Sequence, residues 1–471
     1  MPIIVGSFVF FLLCFIVIGI WSSKDASSTS RDYLLAGRQV SPWLAGLSAV
    51  ASTCSGFVFI GLMGATYRLG VSIFWLALGL ALGNAFCWVF LFKNFFLKSV
   101  EHDVKTIPEF LCIANKDQTP KIRMLSAVLI VIFLGTYASA QLNAGSKALQ
   151  VLLDLRFETG AIIGSIMIGI YCFSGGIRAS IWTDAAQAIV MVAAMAAIVG
   201  ICLYEIGGWS QLVSKLRNID PKLASYNPTS QASVLLFTGS LFLGIGIIGQ
   251  PHVMIRAMTI ESEKALRKTR KIFFIYYTIF LALSVTAGLC CRAFLDQNQN
   301  FDPELALPTL AMDMLPEALI GLVLAGIFAS TISTADSQVL SCSAAITEDL
   351  KLFGDRPQYW KHRVATASIT ASVLGIALLA PRSVFSLVLT AWSALASSIG
   401  PLVILKSLGR PTSENQGLAM MICGLTTASI FRFSSLGAHI NETLPGMSAA
   451  FLAYLLWPKK QQNEGIRKTD I

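Results

Sequence analysis

Residues 326–350 read GIFASTISTADSQVLSCSAAITEDL, an apolar run threaded with small oxygen-bearing side chains. Ser330, Ser333, Thr334, Ser337 and Ser341 stand at i, i+3, i+4, i+7 and i+11. At about 3.6 residues per turn these hydroxyls line one face of a helix. Asp336 borders that face beside Ser333. Two readings compete. Ser and Thr in apolar helices bond back to their own backbone or let helices pack closely. Alternatively the row holds a ligand, and the carboxylate favours this, because an acid inside hydrocarbon marks a functional site by default. Hydroxyls beside one carboxylate suit a small hard cation. A transition metal would ask for sulfur or imidazole, and neither is clustered here.

The rest of the chain sets that helix in a membrane. The 471 residues are 55% hydrophobic and 13% charged, half the charge of a soluble domain at about 25%, and mean hydropathy is +0.68. Apolar segments cover residues 2–21, 42–67, 70–92, 124–146, 158–177, 183–205, 232–255, 272–294, 315–346, 364–380, 383–405, 416–431 and 444–457. The reading is an all-α integral membrane protein of about 13 transmembrane helices, one domain over residues 1–471, with no room for a soluble domain. The first segment is full length and lacks a basic n-region, so it reads as a retained span and not a signal peptide. The net charge of +9 lies in short loops, which argues against a nucleic-acid partner. Alternate loops collect 26 of the 35 Lys and Arg on one side. Basic residues stay in the cytoplasm, so the N-terminus is expected outside and the C-terminus inside. Lys264, Arg267, Lys268, Arg270 and Lys271 read as a topology anchor. The ten cysteines lie mostly within apolar runs without CxxC spacing and read as small hydrophobes. Walker A, HExxH and GxSxG patterns are missing, so no enzyme is expected.

Two further segments carry flaws. Ala51-Ser52-Thr53-Cys54-Ser55-Gly56 interrupts the second, while Gly239, Gly244, Gly246 and Gly249 lead into Gln250-Pro251 in the seventh. Glycine and proline weaken the helical ladder, and a broken helix frees backbone groups to act as ligands. Interrupted spans five positions apart indicate an inverted repeat, residues 41–206 against 232–407, with 1–21 and 416–457 peripheral. Close packing of small residues is the competing explanation for either segment alone.

Several short motifs in order resemble the sodium/solute symporter family, and within it the branch that transports proline. They are Tyr33-Leu34-Leu35-Ala36-Gly37-Arg38, Ser174-Gly175-Gly176, Trp182-Thr183-Asp184, Gly249-Gln250-Pro251-His252, Ser333-Thr334, Ala345-Ile346-Thr347-Glu348-Asp349-Leu350, Ala391-Trp392 and Gly400-Pro401. The resemblance implies a LeuT-type inverted repeat of five plus five helices and sodium-driven alternating access. It implies a sodium site of carbonyl oxygens from Ala51, Cys54 and Ser330 and the hydroxyls of Ser333 and Thr334, with Na+ the only metal. It also implies a second ion site, present in some members, from Asp184, Asp336 and Ser337 with Ser333; an N-cap is the competing role for Asp184. Substrate contacts would come from Ser55, Gly56, Phe57, Tyr137, Leu243, Ile247 and Pro251. Proline-transporting members have an acidic residue in place of Thr53, and Asp336 is a candidate for the displaced charge. They also place aromatic residues where this chain has Leu243 and Ile247. Phe57 and Tyr137 keep aromatic character, which suits a pyrrolidine ring or an ammonium group.

The expected function is therefore import of a small organic solute, proline or a related amino acid, coupled to Na+. No cofactor is expected beyond the coupling ion. Expected partners are the solute, Na+ and membrane lipid, with the chain a monomer or weak oligomer in a plasma membrane, by its compactness a bacterial inner one. Proton coupling through Asp184 or Asp336 is one alternative, and a transporter-derived solute sensor or scaffold is another.

Overall fold

A computed structural model describes the chain except residues 23, 25–28, 114–119, 228–229, 296–300, 355–358, 380–382, 439 and 459–471. The described residues form helices throughout, and their only extended pairing is a single bridge between Val40 and Ile260. Among them, nine helices are long and apolar enough to cross a membrane, and two further apolar helices are shorter. Every apolar segment expected from the sequence falls on helix, several of them as broken or fused pieces.

The chain begins with α1 (Pro2–Ser22), which is largely unburied and packs on the outside of the bundle. The second segment splits into α2 (Pro42–Thr53) and α3 (residues 57–69). Next come α4 (residues 74–101) and α5 (Pro120–Leu153). The fifth and sixth segments run together as α6 (Phe157–Ile206). The short loop expected between them, residues 178–182, is helical, and the interruption lies upstream at Gly175 and Gly176. Gly176 has φ +56°, and a Cβ there would stand 2.6 Å from the Tyr33 carbonyl oxygen, so a left-handed, closely approached residue rather than a loop makes the break.

The seventh segment gives α7 (Gln231–Ile245), a 3₁₀ turn over Gly246–Gly249, and α8 (Pro251–Met258). Gln250 is extended between them, and Pro251 opens α8 where its missing N–H costs nothing. Then follow α9 (Glu263–Phe294), α10 (Glu317–Ala344), α11 (Tyr359–Leu379), α12 (Val384–Ser398), α13 (Gly400–Ser407), α14 (Glu414–Arg432) and α15 (Thr443–Leu455). The polar row lies on α10, the most enclosed of the candidate spans, which packs against α6, α5 and α1.

Small residues set the tightest seams. On α4, a Cβ at Gly83 would lie 2.2 Å from the carbonyl oxygen of Leu241, and one at Gly79 would lie 2.7 Å from that of Phe237. Without glycine, α4 and α7 could not approach so closely. All ten cysteines are free, eight of them buried, as expected of small hydrophobes.

Candidate functional site

The break in α2 is the first element of the site. Cys54 leaves helical geometry at φ −88°, ψ 62°, and the chain resumes its winding at Phe57. Gly56 sits at a close crossing, since a Cβ there would stand 2.9 Å from each of Ala144 Cβ, Gln141 Oε1 and Thr331 Cγ2. Its freed amide donates to Gln141 Oε1 at 2.8 Å, and the Phe57 amide donates to Ser55 Oγ at 3.1 Å.

Facing this break, the hydroxyls of α10 use both options left open by the sequence. Ser330, Ser333, Thr334, Ser337 and Ser341 all donate to backbone carbonyls three or four residues earlier. In addition, Ser333 Oγ and Thr334 Oγ1 each reach Ala51 O across the helix interface at 3.3 Å. Four of the five residues expected at the sodium site thus converge, with Ala51 O and Ser330 O shared by the same two hydroxyls. Cys54 contributes the turn that ends α2. All five are at most 1% exposed.

One helical turn along α10 lies a second polar cluster. Asp184, Asp336 and Ser337 come together here, but around Arg256, which directly follows the apolar segment 232–255 and by sequence falls among the loop cations. Its guanidinium is fully buried. Nη2 donates to Asp184 Oδ2 at 2.9 Å, to Ser180 Oγ at 3.1 Å and to Ser337 Oγ. Nε donates to Ser48 Oγ at 3.0 Å, and Nη1 to the carbonyl of His252 at 2.6 Å. Ser48 also donates to Asp184 Oδ2 at 2.6 Å, while Ser180 and Ser337 donate to Asp336 Oδ1 at 3.3 and 3.0 Å. Among the described residues, Asp184 Oδ1 and Asp336 Oδ2 have no hydrogen-bond partner. Asp184 lies well inside α6 and is not an N-cap. Proline at the first position of α8 was the available signal that a new helix starts there; that helix runs to Met258 and carries Arg256 inward.

A narrow cavity of about 30 Å³ lies beside the break, lined by Thr53, Phe57, Val58, Leu80, Asn84, Tyr137, Leu243, Tyr277, Val388, Leu389 and Trp392. That is room for about one water. Phe57, Tyr137 and Leu243 therefore share one wall system. Ser55 adjoins it through a 3.0 Å hydrogen bond to the Tyr137 hydroxyl. Ile247 is buried away from it, and Pro251 lines a different cavity with Tyr33 and Asp349. Trp392 is tied by its indole N–H to the carbonyl of Leu243 at 2.9 Å. Thr53 faces this cavity and donates to Ala49 O at 2.7 Å. Asp336 has separate partners, accepting from the Ser180 and Ser337 hydroxyls.

Phe57 stacks on Phe385, with centroids 5.4 Å apart. Phe385 in turn lines two wider cavities, of about 510 and 610 Å³, at the end of the bundle that carries Arg68, Lys147 and Arg432. The Lys147 ammonium binds Asp302 at 2.8 Å and Glu304 at 2.7 Å, and Glu304 accepts the amides of Val384 and Phe385 at the start of α12. At the opposite end, Asp349 is held by Arg123 at 2.8 Å and by Thr106 at 2.9 Å, while Glu348 meets His362 and Ser30.

This discontinuous-helix bundle has the LeuT-type fold of ion-coupled secondary transporters, a class that moves solutes without transforming them. A Na+-coupled sialic acid symporter, solved in a substrate-bound outward-open state, superposes with a TM-score of 0.82 at 18% identity, over 97% of this chain and 98% of that one. Mhp1, a nucleobase-cation-symport-1 family transporter, gives 0.57 at 13% identity, over 91% and 93%. The chain belongs to the Sodium:solute symporter family, whose model matches residues 33–424. The high-affinity proline transporter PutP of Bacillus subtilis (strain 168) is 29% identical over 448 residues, 93% of this chain and 94% of the relative. The sodium/proline symporter of Escherichia coli (strain K12) is 28% identical over 88% and 85%. The protein is accordingly an integral plasma-membrane symporter that couples a small solute to Na+.

Proposed function

We propose that the protein imports proline or a closely related amino acid with Na+ by alternating access. The observation that carries this reading is the convergence of the Ser333 and Thr334 hydroxyls on Ala51 O. Na+ would take those three oxygens with the carbonyls of Ser330 and Cys54, joining α10 to the broken α2. No other cofactor belongs to the proposal. The solute would occupy the cavity of Phe57, Tyr137 and Leu243, with Ser55 and Gly56 at its edge. The names of the relatives support proline, and four aromatic rings around a cavity without a charged side chain suit its compact apolar body. Since the cavity is about 30 Å³, these rings must separate to admit a solute. Ile247 and Pro251 would act by shaping the broken seventh span rather than by contact.

Binding of Na+ fixes the break, solute then binds more tightly, and linkage makes the effect reciprocal. The membrane potential adds about 2.3 kcal/mol per charge per 100 mV. The proposed frame sets residues 41–206 against 232–407 as repeats in a bacterial inner membrane, N-terminus outside and C-terminus inside, in a monomer or weak oligomer. In that frame the wide cavities beside Phe385 face outward. Counterflow of labelled proline in proteoliposomes, with Na+ replaced by choline at fixed pH, tests the proposal. Exchange that requires Na+ supports it. Exchange indifferent to Na+ favours proton coupling through Asp184 or Asp336, and binding without exchange indicates a sensor.

A further inference from the structure

The cluster next to the sodium site holds two carboxylates and one guanidinium, Asp184, Asp336 and Arg256, all fully buried. Two of the residues expected to hold a second ion, Asp184 and Ser337, are already bonded to Arg256 Nη2. Building on the sodium-coupled reading, we propose that Arg256 is a tethered cation that occupies the second ion site and fixes coupling at one Na+ per solute.

Charge counting supports the number. With both carboxylates ionised the cluster carries one net negative charge, and burying net charge is costly unless it is compensated. The main site offers only neutral oxygens, from Ala51, Cys54, Ser330, Ser333 and Thr334, so it brings no counter-charge of its own. Ser337 follows Ser333 by one turn and donates to its carbonyl at 2.7 Å. One Na+ at the main site therefore neutralises the whole buried assembly, whereas a second would leave it positive. The side oxygens still open, Asp184 Oδ1 and Asp336 Oδ2, are what draw that first ion.

Geometry supports the tether. Through its five hydrogen bonds Arg256 connects α8, behind one broken span, to Ser48 on α2, before the other break, and to Asp184 on α6 and Ser337 on α10. A free ion at this point would have to be released in each cycle. A guanidinium on a helix moves with that helix and is never released, so it spends no ion gradient.

The test counts ions with Na+ alone. Purified protein is titrated with NaCl at constant ionic strength, balanced by choline, and thermal stabilisation is followed; each bound ion adds about RT ln 10 of stabilisation per decade above its dissociation constant. The wild type should give the slope of about one ion, Arg256→Gln about twice that slope, and Arg256→Gln/Asp184→Asn, which restores the single net charge, about one again. A wild-type slope of two ions, or an unchanged slope in Arg256→Gln, overturns the proposal. If Arg256→Gln does not fold, the wild type and the double variant still decide: either one at two ions overturns it, and both at one support it. Charge moved per proline in proteoliposomes gives an independent count, expected at about one for the wild type. A wild type that ignores Na+ altogether refutes the sodium reading itself, whereas two Na+ per solute refutes only the role of Arg256.

Discussion

Removing the hydroxyls that bridge α10 to α2 should weaken Na+ binding far more than it weakens the fold. Without an ion, Ser333 and Thr334 each reach Ala51 O at 3.3 Å, the long end of hydrogen-bond range, so either bond contributes at most about 1 kcal/mol. With an ion in place, each hydroxyl is an oxygen ligand whose loss leaves a buried charge under-coordinated, at roughly 1–3 kcal/mol. Ser333→Ala and Thr334→Ala should therefore each raise half-saturating Na+ by roughly 5- to 150-fold. Both hydroxyls meet the same acceptor, so the double variant should fall short of the product of the two single effects. The assay is Na+-titrated uptake of labelled proline in proteoliposomes, beside thermal stability in sodium-free buffer. Unchanged half-saturating Na+ in both single variants would refute the reasoning, as would a loss of sodium-free stability large enough to account for the phenotype.

Four other outcomes follow from the structure. Phe57→Ala removes a cavity wall and the ring on which Phe385 stacks, so KM for the solute should rise by roughly tenfold or more, from about 0.5–1.5 kcal/mol of ring pairing plus lost burial; uptake kinetics at saturating Na+ check it. Lys147→Ala leaves the buried Glu304 carboxylate without its counter-cation at the head of α12 and should cost about 3–5 kcal/mol of stability, seen as a lower Tm. Burial raises the Asp302 carboxyl, but its bonds to Lys147 and the Glu304 amide outweigh this and hold it below its ordinary 3.8. That contribution is present above pH 3.8 and is lost as pH falls through the lowered value, so Asp302→Asn should lower Tm at neutral pH, leave it little changed in acid, and thereby flatten the acid limb of the Tm profile. Gly83→Leu forces a side chain against the Leu241 carbonyl, where a Cβ alone would be 2.2 Å away; folded yield by size-exclusion chromatography should collapse, whereas an exposed control such as Ile132→Leu should not change it.

Much of the architecture was legible in the chain itself because hydrocarbon imposes simple conditions on it. A membrane helix must be long, apolar and internally hydrogen-bonded, so the segments, the two interruptions and the row on α10 stand out as linear patterns. The same physics makes Ser333 and Thr334 visible, because oxygen at helical spacing has few reasons to persist in such a setting. What tertiary structure alone decided is which distant groups share a space. The sequence spacing left Ser333 and Thr334 divided between back-bonding and ligation, and only the approach of α2 brings Ala51 O within their reach. Phe57, Tyr137 and Leu243 meet around one cavity, while Pro251, equally apolar and equally close to a break, faces another. Arg256 reads as one more loop cation until the continuation of α8 carries it between Asp184 and Ser337. Apolar period and helix breakers are local properties of a chain. The pairing of a buried charge depends on partners more than 70 residues away, and nothing in the local pattern records them.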